Sequence, residues 1–266
     1  MPTFARNGVE LYYRTEGEGP AVLGIMGFAA DHRLWAAQVP TICARNTFIT
    51  FDNRGVGRST GEPIETLEEM ADDAAALLDH LGIERAVILG VSMGGAIAQH
   101  LALRHPERVK ALGLIVTFAR PIEYTRRESR LGHELLRLAG PKAFLEATLI
   151  HLFTPRFFEI GEEALNQVIA AYFYGGEAEI PDPAVLEGQM RAIAKHDLLD
   201  SLGAIACPTL VVGGRLDMMV PGFASEEIAA AIPGAELHMF DSGHALMFEE
   251  MDAFNALLRD FLDRTA

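Results

Sequence analysis

The sequence has few cysteines and few basic residues. Its two cysteines, Cys43 and Cys207, lie far apart and match no metal or redox spacing, so we expect reduced thiols in a cytoplasm rather than a disulfide scaffold. Lys and Arg number 22 against 37 Asp and Glu, which gives a formal net charge of −15. Because a field of that sign repels phosphate backbones and anionic lipids, neither nucleic acid nor a membrane is an expected partner.

Long apolar runs are also missing. The longest stretch free of Lys, Arg, Asp and Glu, residues 86–103, contains three glycines, Ser92, Gln99 and His100 and is too polar to span a bilayer. Residues 1–13 carry charged and polar groups where a signal peptide needs an apolar segment. With 266 residues, half of them apolar and 22% charged, the chain has the composition of a soluble globular protein.

Short apolar runs rich in Val and Ile alternate with segments of helical periodicity. This alternation predicts an α/β fold with a mostly parallel sheet. Thr66 and Glu69 have the spacing of a capping box at the start of one helix, and apolar residues near the end of the chain repeat at helical spacing. The predicted strands are 9–14, 21–26, 47–51, 86–91, 111–116, 209–212 and 236–240.

The alternation stops in the middle of the chain. Between about residues 118 and 202 the pattern is helical, with no convincing strand. We therefore predict a core domain formed by residues 1–117 and 203–266, with residues 118–202 inserted as a helical cap. The cap is expected over the carboxyl edge of the sheet, where such folds bind their ligands.

A glycine-flanked serine follows the predicted strand 86–91. The segment reads Gly-Val-Ser-Met-Gly-Gly from Gly90, and Gly90 and Gly94 leave the room that a nucleophile on a tight turn requires. The helix that begins near Met93 directs free N–H groups and the positive end of its dipole at Ser92, which favours an oxyanion. Ser92 is the candidate nucleophile, and the alternative is a Gly-rich turn with an idle serine.

A serine nucleophile needs a base, and the base needs an acid to orient it. His244 follows the last predicted strand on a loop at the carboxyl edge of the sheet. Asp217 lies just beyond strand 209–212 at the same edge, whereas the end of the preceding strand, at residues 116–118, offers no carboxylate. Ser92, Asp217 and His244 are the candidate triad, and their chain order is a known one for this geometry.

These motifs resemble those of the α/β-hydrolase superfamily over nearly the whole chain, most closely its small capped esterases, lactonases and enol-lactone hydrolases. Residues 52–59, Asp-Asn-Arg-Gly-Val-Gly-Arg-Ser, are similar to a loop that braces the site in that family. They are not a dinucleotide fingerprint, because Thr60 occupies the third glycine position. The resemblance implies an eight-stranded sheet with helices on both faces, a helical cap, and catalysis with no metal or organic cofactor.

The oxyanion loop departs from the family pattern. It usually begins His-Gly, but here it reads Met26-Gly27-Phe28, so one polar brace of the loop is lost. The resemblance assigns the oxyanion hole to the backbone N–H groups of Phe28 and Met93. Methionines beside the motif positions and aromatic residues in the cap favour an apolar substrate pocket. The residues selected for that pocket are Met26, Phe118, Met218 and Met247, with His151 and His196 as further candidates.

The predicted activity is hydrolysis of a small carboxylic ester or lactone of apolar character, through an acyl-enzyme on Ser92. A carbon–carbon bond hydrolase and a cofactor-free perhydrolase or haloperoxidase-like enzyme would use the same triad. An alternative from another class is a non-catalytic ligand-binding protein on a hydrolase fold. The serine argues against haloalkane or epoxide chemistry, for which relatives use Asp at the nucleophile position.

Overall fold

The computed structural model describes residues 2–172 and 180–266. One eight-stranded sheet runs through it in the order β1-β2-β4-β3-β5-β6-β7-β8. The first three strands on that list pair antiparallel and every later pair is parallel, which confirms the predicted α/β fold and sheet. The strands are β1 (Thr3–Arg6), β2 (Val9–Glu16), β3 (Ala21–Ile25), β4 (Thr47–Phe51), β5 (Ala86–Val91), β6 (Val109–Ile115), β7 (Thr209–Gly214) and β8 (Glu236–Phe240).

The predicted strands all form, and the differences lie at the ends. Strand β1 was missed because its four residues alternate between exposed and half-buried, so it shows no apolar run. Strand β6 begins two residues before the predicted start because it includes Lys110, whose exposed charge interrupts the apolar pattern. The β5–β6 register shifts at the same place, between Ala86 and Val87.

Helices cover both faces of the sheet. On one face, Leu77, Ile97 and Ile228 pack in one apolar cluster with Ile88 of β5, whereas the neighbouring Val87 belongs to the cluster on the other face. None of the helices in the described ranges is long and apolar enough to cross a membrane. The helices are α1 (Val39–Cys43), α2 (Leu67–His80), α3 (Met93–Arg104), α4 (Glu123–Leu152), α5 (Pro155–Phe158), α6 (Glu162–Tyr172), α7 (Pro183–Lys195), α8 (Phe223–Ala231), α9 (Leu246–Glu249) and α10 (Met251–Thr265).

The predicted capping box is wrong in its contacts, although the helix start is right. Helix α2 begins at Leu67 with Thr66 as its N-cap residue, but the Thr66 side chain makes no capping hydrogen bond. The Glu69 carboxylate lies 3.9 Å from the Arg54 guanidinium instead. The acidic residues of the first turn, Glu68 and Glu69, still stabilise the helix, because their negative charges lie at the positive end of its dipole.

Between β6 and β7 the described chain is helical, as predicted. Helix α4 bends at Gly140, which has φ 82° and ψ 174°, directly before Pro141. Proline cannot continue the helical hydrogen bonds and glycine tolerates the left-handed region, so the helix turns there. The two halves lie over the sheet edge, where the Phe144 and Phe28 rings pack edge to face at 5.9 Å. The division into core and cap at residues 118–202 stays a prediction.

Candidate active site

Ser92 lies on a strained turn between β5 and α3. Its backbone has φ 55° and ψ −121°, a region that L-residues rarely adopt. Both flanking glycines are required, because a Cβ on Gly90 would lie 2.4 Å from the Gly94 oxygen, and one on Gly94 would lie 2.2 Å from the Ile25 oxygen. The Thr117 hydroxyl donates to the Ser92 carbonyl at 2.6 Å. The turn thus holds Ser92 in the conformation expected of a nucleophile elbow.

The structure brings Asp217 and His244 together. The Nδ1 atom of His244 lies 2.7 Å from Oδ2 of Asp217, and both side chains are buried. The other carboxylate oxygen accepts the backbone N–H groups of Met219 and Val220, each at 2.8 Å. Because an ionised carboxylate only accepts hydrogen bonds, Nδ1 is the donor and Nε2 is left to act as a base.

Glu249 holds the loop that presents His244. Its Oε2 atom accepts the Ser242 hydroxyl at 2.6 Å and the Gly243 N–H at 3.0 Å. Its Oε1 atom accepts the Thr154 N–H at 2.5 Å, which ties the loop to the chain after α4. Sequence reasoning missed Glu249, and a single carboxylate on the short helix α9 provides no pattern that would have singled it out.

The loop after β3, which was predicted to supply an oxyanion donor at Phe28, is braced by two amide side chains. Asn53 Nδ2 donates to the Met26 carbonyl at 2.9 Å, and Gln189 Oε1 accepts the Ala29 N–H at 2.9 Å. The loop passes against the nucleophile, because a Cβ built on Gly27 would lie 3.1 Å from the Ser92 Cβ. The segment after β4 and helix α7 thus supply polar bracing to a loop that has Met26 where the family pattern has histidine.

The Met93 amide lies at the start of α3. The helical hydrogen bonds begin with the N–H groups of Gly95 and Ala96, which donate to the Ser92 carbonyl at 2.9 and 3.2 Å. The N–H of Met93 therefore stands outside the helical ladder, as the first N–H groups of a helix do. It is available, with the positive end of the helix dipole, to a developing negative charge beside Ser92.

Asp52 is the centre of the segment that resembles the family's bracing loop. Its Oδ1 atom accepts the backbone N–H of His32 at 2.9 Å and contacts His32 Nδ1 at 2.6 Å, while Oδ2 accepts the Arg58 N–H at 2.9 Å. Asp31, His32 and Asp52 lie close enough to hold a metal ion. Both carboxylates, however, are already engaged by protein donors, Asp31 by the Arg33 side chain and backbone N–H.

Two cavities meet at Ser92. The first, of about 190 Å³, contains Glu128 and is called the Glu128 cavity; the second, of about 130 Å³, contains His244 and is called the His244 cavity. Both are walled mainly by apolar side chains. The residues that line both are Phe28, Ser92, Thr148 and Met219.

Most of the predicted pocket residues lie in these cavities. Met26 and Met247 line the His244 cavity, and Phe118 lines the Glu128 cavity. Met218 requires a correction: its side chain is 49% exposed, and Met219 lines both cavities in its place. The reason is the turn after Asp217. In this turn the Met219 N–H donates to Asp217 Oδ1, and the Met218 carbonyl accepts a hydrogen bond from the Tyr124 hydroxyl at 2.6 Å.

The two histidines considered for the pocket have different surroundings. His151 lines the Glu128 cavity. His196 is buried behind it, where its ring bonds His100 Nε2 at 3.0 Å and the Phe118 carbonyl at 3.2 Å. Burial and the neighbouring His100 lower the pKa of His196 to about 3, so it is held neutral.

Glu128 is the cavity residue that sequence reasoning missed. Its Oε1 atom lies 3.0 Å from Nδ1 of His151, and burial raises the pKa of Glu128 to about 7. The charge of His244 acts against this rise and that of Asp217 adds to it, which places the carboxyl group within electrostatic reach of both. No local pattern marks this residue, because the bend at Gly140 brings the two halves of α4 together.

Fold and site together define an α/β hydrolase. The family described as alpha/beta hydrolase fold matches residues 20–251, and the chain belongs to it. A protein of Azorhizobium caulinodans, provisionally named carbamate hydrolase RutD, is 31% identical over 264 residues, covering 98% of both chains.

Solved structures resemble this chain over the same extent. The enol-lactonase from Burkholderia xenovorans LB400 aligns with a TM-score of 0.90 and 30% identity, over 98% of this chain and 100% of that one. An esterase from Thermogutta terrifontis aligns with a TM-score of 0.85 and 30% identity, over 98% and 96% of the two chains. The chain is a hydrolase with the character of the esterase- and lactonase-like members of its family.

Proposed function

We propose that the protein hydrolyses carboxylic esters or lactones through an acyl-enzyme on Ser92. The observation that carries this proposal is the convergence of three residues. Ser92, on its strained turn, lines the same cavity as His244, and His244 Nδ1 lies 2.7 Å from the buried Asp217 carboxylate. A serine, a base and an orienting acid at one cavity are the parts that acyl transfer needs.

Acylation begins when His244 Nε2 takes the Ser92 hydroxyl proton as Oγ attacks the carbonyl carbon of the substrate. The carbonyl π electrons move to oxygen, and the backbone N–H groups of Phe28 and Met93 stabilise the resulting oxyanion. The intermediate collapses by expelling the alkoxide, which takes the proton from His244. Throughout this step Asp217 orients the imidazole and stabilises its charged form.

Deacylation repeats the sequence with water as the nucleophile. His244 removes a proton from water as its oxygen attacks the acyl carbon, and it returns the proton to Ser92 Oγ when the acid leaves. For an ester, the alcohol has already left. For a lactone, the alcohol stays attached to the acyl group, so one hydroxy acid is released.

The cavity walls support a substrate with apolar parts on both sides of the scissile bond. Because His244 must protonate the leaving oxygen, the His244 cavity is assigned to the leaving group. The Glu128 cavity then takes the acyl part, between the rings of Phe28, Phe118 and Phe144. Methionine side chains at both sites adapt to apolar groups of different shape.

Hydrolysis of a carbamate is a second candidate, supported by the similarity to relatives provisionally named carbamate hydrolase. The same triad would attack a carbamate carbonyl. The apolar walls of both cavities favour an ester or lactone over a small polar carbamate. The two candidates are separated by measuring the release of ethanol from ethyl carbamate and the hydrolysis of esters by the same protein.

The test is a burst experiment with p-nitrophenyl esters from acetate to octanoate. Wild-type protein is compared with Ser92→Ala and with Ser129→Ala, which removes another hydroxyl from the Glu128 cavity. A burst that is lost in Ser92→Ala and kept in Ser129→Ala is the expected result. Labelling of Ser92 by a serine-directed phosphonate without ester release would restrict the proposal to lactones. Neither release nor labelling would contradict it and favour a ligand-binding protein.

A further inference from the structure

The Glu128 cavity contains a carboxyl group where an apolar wall would suffice for an apolar substrate. Glu128 and His151 come from opposite sides of the bend in α4, and their side chains meet with 3.0 Å between Oε1 and Nδ1. Both line the cavity that also contains Ser92. Placing an ionisable group among apolar side chains is costly unless it has a partner, so the position calls for a reason.

The carboxyl group has unfilled acceptor capacity. Its Oε1 atom is shielded from solvent, and no described group donates a hydrogen bond to it, although His151 Nδ1 lies 3.0 Å away. The Glu128 side chain is 23% exposed. Because Oε1 contributes almost nothing to that exposure, the exposed surface belongs to the rest of the Glu128 side chain, which lines the cavity.

Two hydroxyl groups of the cavity wall are already engaged with backbone carbonyls. The Thr125 hydroxyl donates to the Ile122 carbonyl at 3.0 Å, and the Thr148 hydroxyl donates to the Leu145 carbonyl at 2.6 Å. Around them the wall is apolar, with Phe118, Phe144 and Met190 among its residues. Glu128 supplies the carboxyl group of this lining, and a carboxylate is a stronger acceptor than a hydroxyl, so a donor brought in by the substrate would find its best acceptor there.

We propose that Glu128, which lies beside His151, determines specificity by accepting a hydrogen bond from a hydroxyl group on the acyl part of the substrate. The inference rests on the proposed function, because it takes Ser92 as the group that attacks the acyl carbon. The preferred substrates are then esters of hydroxy acids rather than of plain fatty acids. A hydroxyl suits the site better than an ammonium group, because His151 already stands beside the same carboxyl group.

The structural reason for this specificity is the cost of unpaired groups. A hydroxyl that enters an apolar cavity loses its hydrogen bonds to water, and the Glu128 carboxyl group can restore one. Without that carboxyl group, the cavity would favour a methyl group at the same position. Burial holds the pKa of Glu128 well above the ordinary range of a carboxyl group, in keeping with a side chain removed from bulk water.

The first experiment compares two esters of equal size, p-nitrophenyl 6-hydroxyhexanoate and p-nitrophenyl heptanoate. The wild-type kcat/KM ratio of the hydroxy ester to the apolar ester is expected to fall roughly tenfold to a hundredfold in Glu128→Leu. Glu128→Gln keeps the size of the side chain and one acceptor oxygen, so its kcat/KM ratio should lie between those of the wild type and Glu128→Leu. Glu134→Leu, an exposed position on the same helix, is the matched control and should leave the ratio unchanged.

A second experiment measures binding without catalysis. The probes are the methyl ketones with the same acyl chains, 7-hydroxyheptan-2-one and octan-2-one, and calorimetry gives their dissociation constants. Wild-type protein is expected to prefer the hydroxy ketone, and Glu128→Leu to reverse or abolish that preference. Equal preference in the two proteins would overturn the inference, whether or not Ser92 supports ester hydrolysis.

The two experiments separate the two proposals. If Ser92→Ala retains ester release while Glu128→Leu changes the ketone preference, the proposed function falls and the recognition role of Glu128 stands. If ester release depends on Ser92 while substitution of Glu128 changes neither ratio, the proposed function stands and the inference falls. Should Glu128→Leu fail to fold, the Gln variant provides the comparison.

Discussion

Gln189 Oε1 accepts a hydrogen bond from the Ala29 N–H at 2.9 Å, across 160 positions of sequence. Gln189 is fully buried on α7, and Ala29 follows Phe28 in the oxyanion loop with a φ of 56°. A non-glycine residue at positive φ is strained, so this bond stabilises a turn that the loop alone does not favour. Helix α7 thereby positions the loop that faces Ser92.

Replacing Gln189 with Met should weaken catalysis more than binding. The variant keeps the volume of the side chain but removes the acceptor for Ala29, so the Phe28 amide is displaced from the oxyanion. We expect kcat to fall roughly tenfold with KM little changed. Steady-state kinetics on the preferred p-nitrophenyl ester measure both constants. Gln167→Met, at an exposed position on α6, is the control; an unchanged kcat in Gln189→Met would contradict the prediction.

Asp217→Asn should nearly abolish turnover while leaving the fold intact. The amide oxygen can still accept the N–H groups of Met219 and Val220, but the amide nitrogen would face His244 Nδ1 as a donor. The imidazole would then carry its proton on Nε2, the wrong tautomer for a base, and a loss of about 10⁴ in kcat is expected. A loss below tenfold, with the melting temperature unchanged, would show that Asp217 is not the orienting acid.

Glu249→Ala should destabilise the protein and disturb His244. It leaves three buried or half-buried donors without their acceptor, those of Thr154, Ser242 and Gly243. We expect the free energy of unfolding to fall by about 2–4 kcal/mol, measured by urea denaturation. Glu226→Ala, at an exposed position on α8, should change it by less than about 0.5 kcal/mol. Equal effects from the two variants would remove the proposed role of Glu249 in holding the loop.

The buried His196 should make the protein sensitive to acid. Its pKa is about 3 in the folded chain, because burial and the neighbouring His100 disfavour the charged form, against an ordinary value of 6.5. Between these values the unfolded chain binds a proton that the folded chain does not bind. The free energy of unfolding is therefore highest, as far as His196 is concerned, above pH 6.5. It decreases as pH falls from 6.5 toward 3, by up to about 1.4 kcal/mol per pH unit.

His196→Asn tests this dependence. Urea unfolding between pH 4 and pH 7 gives the slope of the unfolding free energy against pH, which is independent of any overall loss of stability in the variant. The slope should be smaller in His196→Asn than in the wild type. His238→Asn, at an exposed position, is the matched control substitution. Parallel slopes for wild type and His196→Asn would contradict the assignment.

Much of the fold could be predicted because its signals are local. The strands β3, β4 and β5 are short apolar runs between turn residues, and a buried parallel sheet requires that pattern. Strand β1 has no such pattern, because it lies at the edge of the sheet with neither face fully buried. The capping interaction at Thr66 failed for a different reason, since the Glu69 side chain lies toward Arg54, a residue outside the helix.

The candidate triad could also be named from the sequence, since each member follows a strand at the same edge of a parallel sheet. Ser92 is marked by its flanking glycines, and Asp217 and His244 by the strands before them. Of the neighbouring residues Met218 and Met219, the sequence analysis selected Met218 for the pocket, and it had no geometric ground for that choice. The turn after Asp217 decides that Met219 faces the cavities, because one position along the chain reverses the direction of a side chain.

By itself, then, the sequence determined seven of the eight strands, the glycine turn at Ser92 and the strand ends that present Asp217 and His244. These features depend on burial patterns and steric limits within a few residues. Only the tertiary structure decided the contacts of Gln189 with Ala29 and of Glu128 with His151. The first joins α7 to the loop after β3, and the second joins the two halves of the bent helix α4. Neither spacing in sequence follows a helical or strand period. Side-chain pairs of that kind follow from the packing of whole elements, which no local pattern encodes.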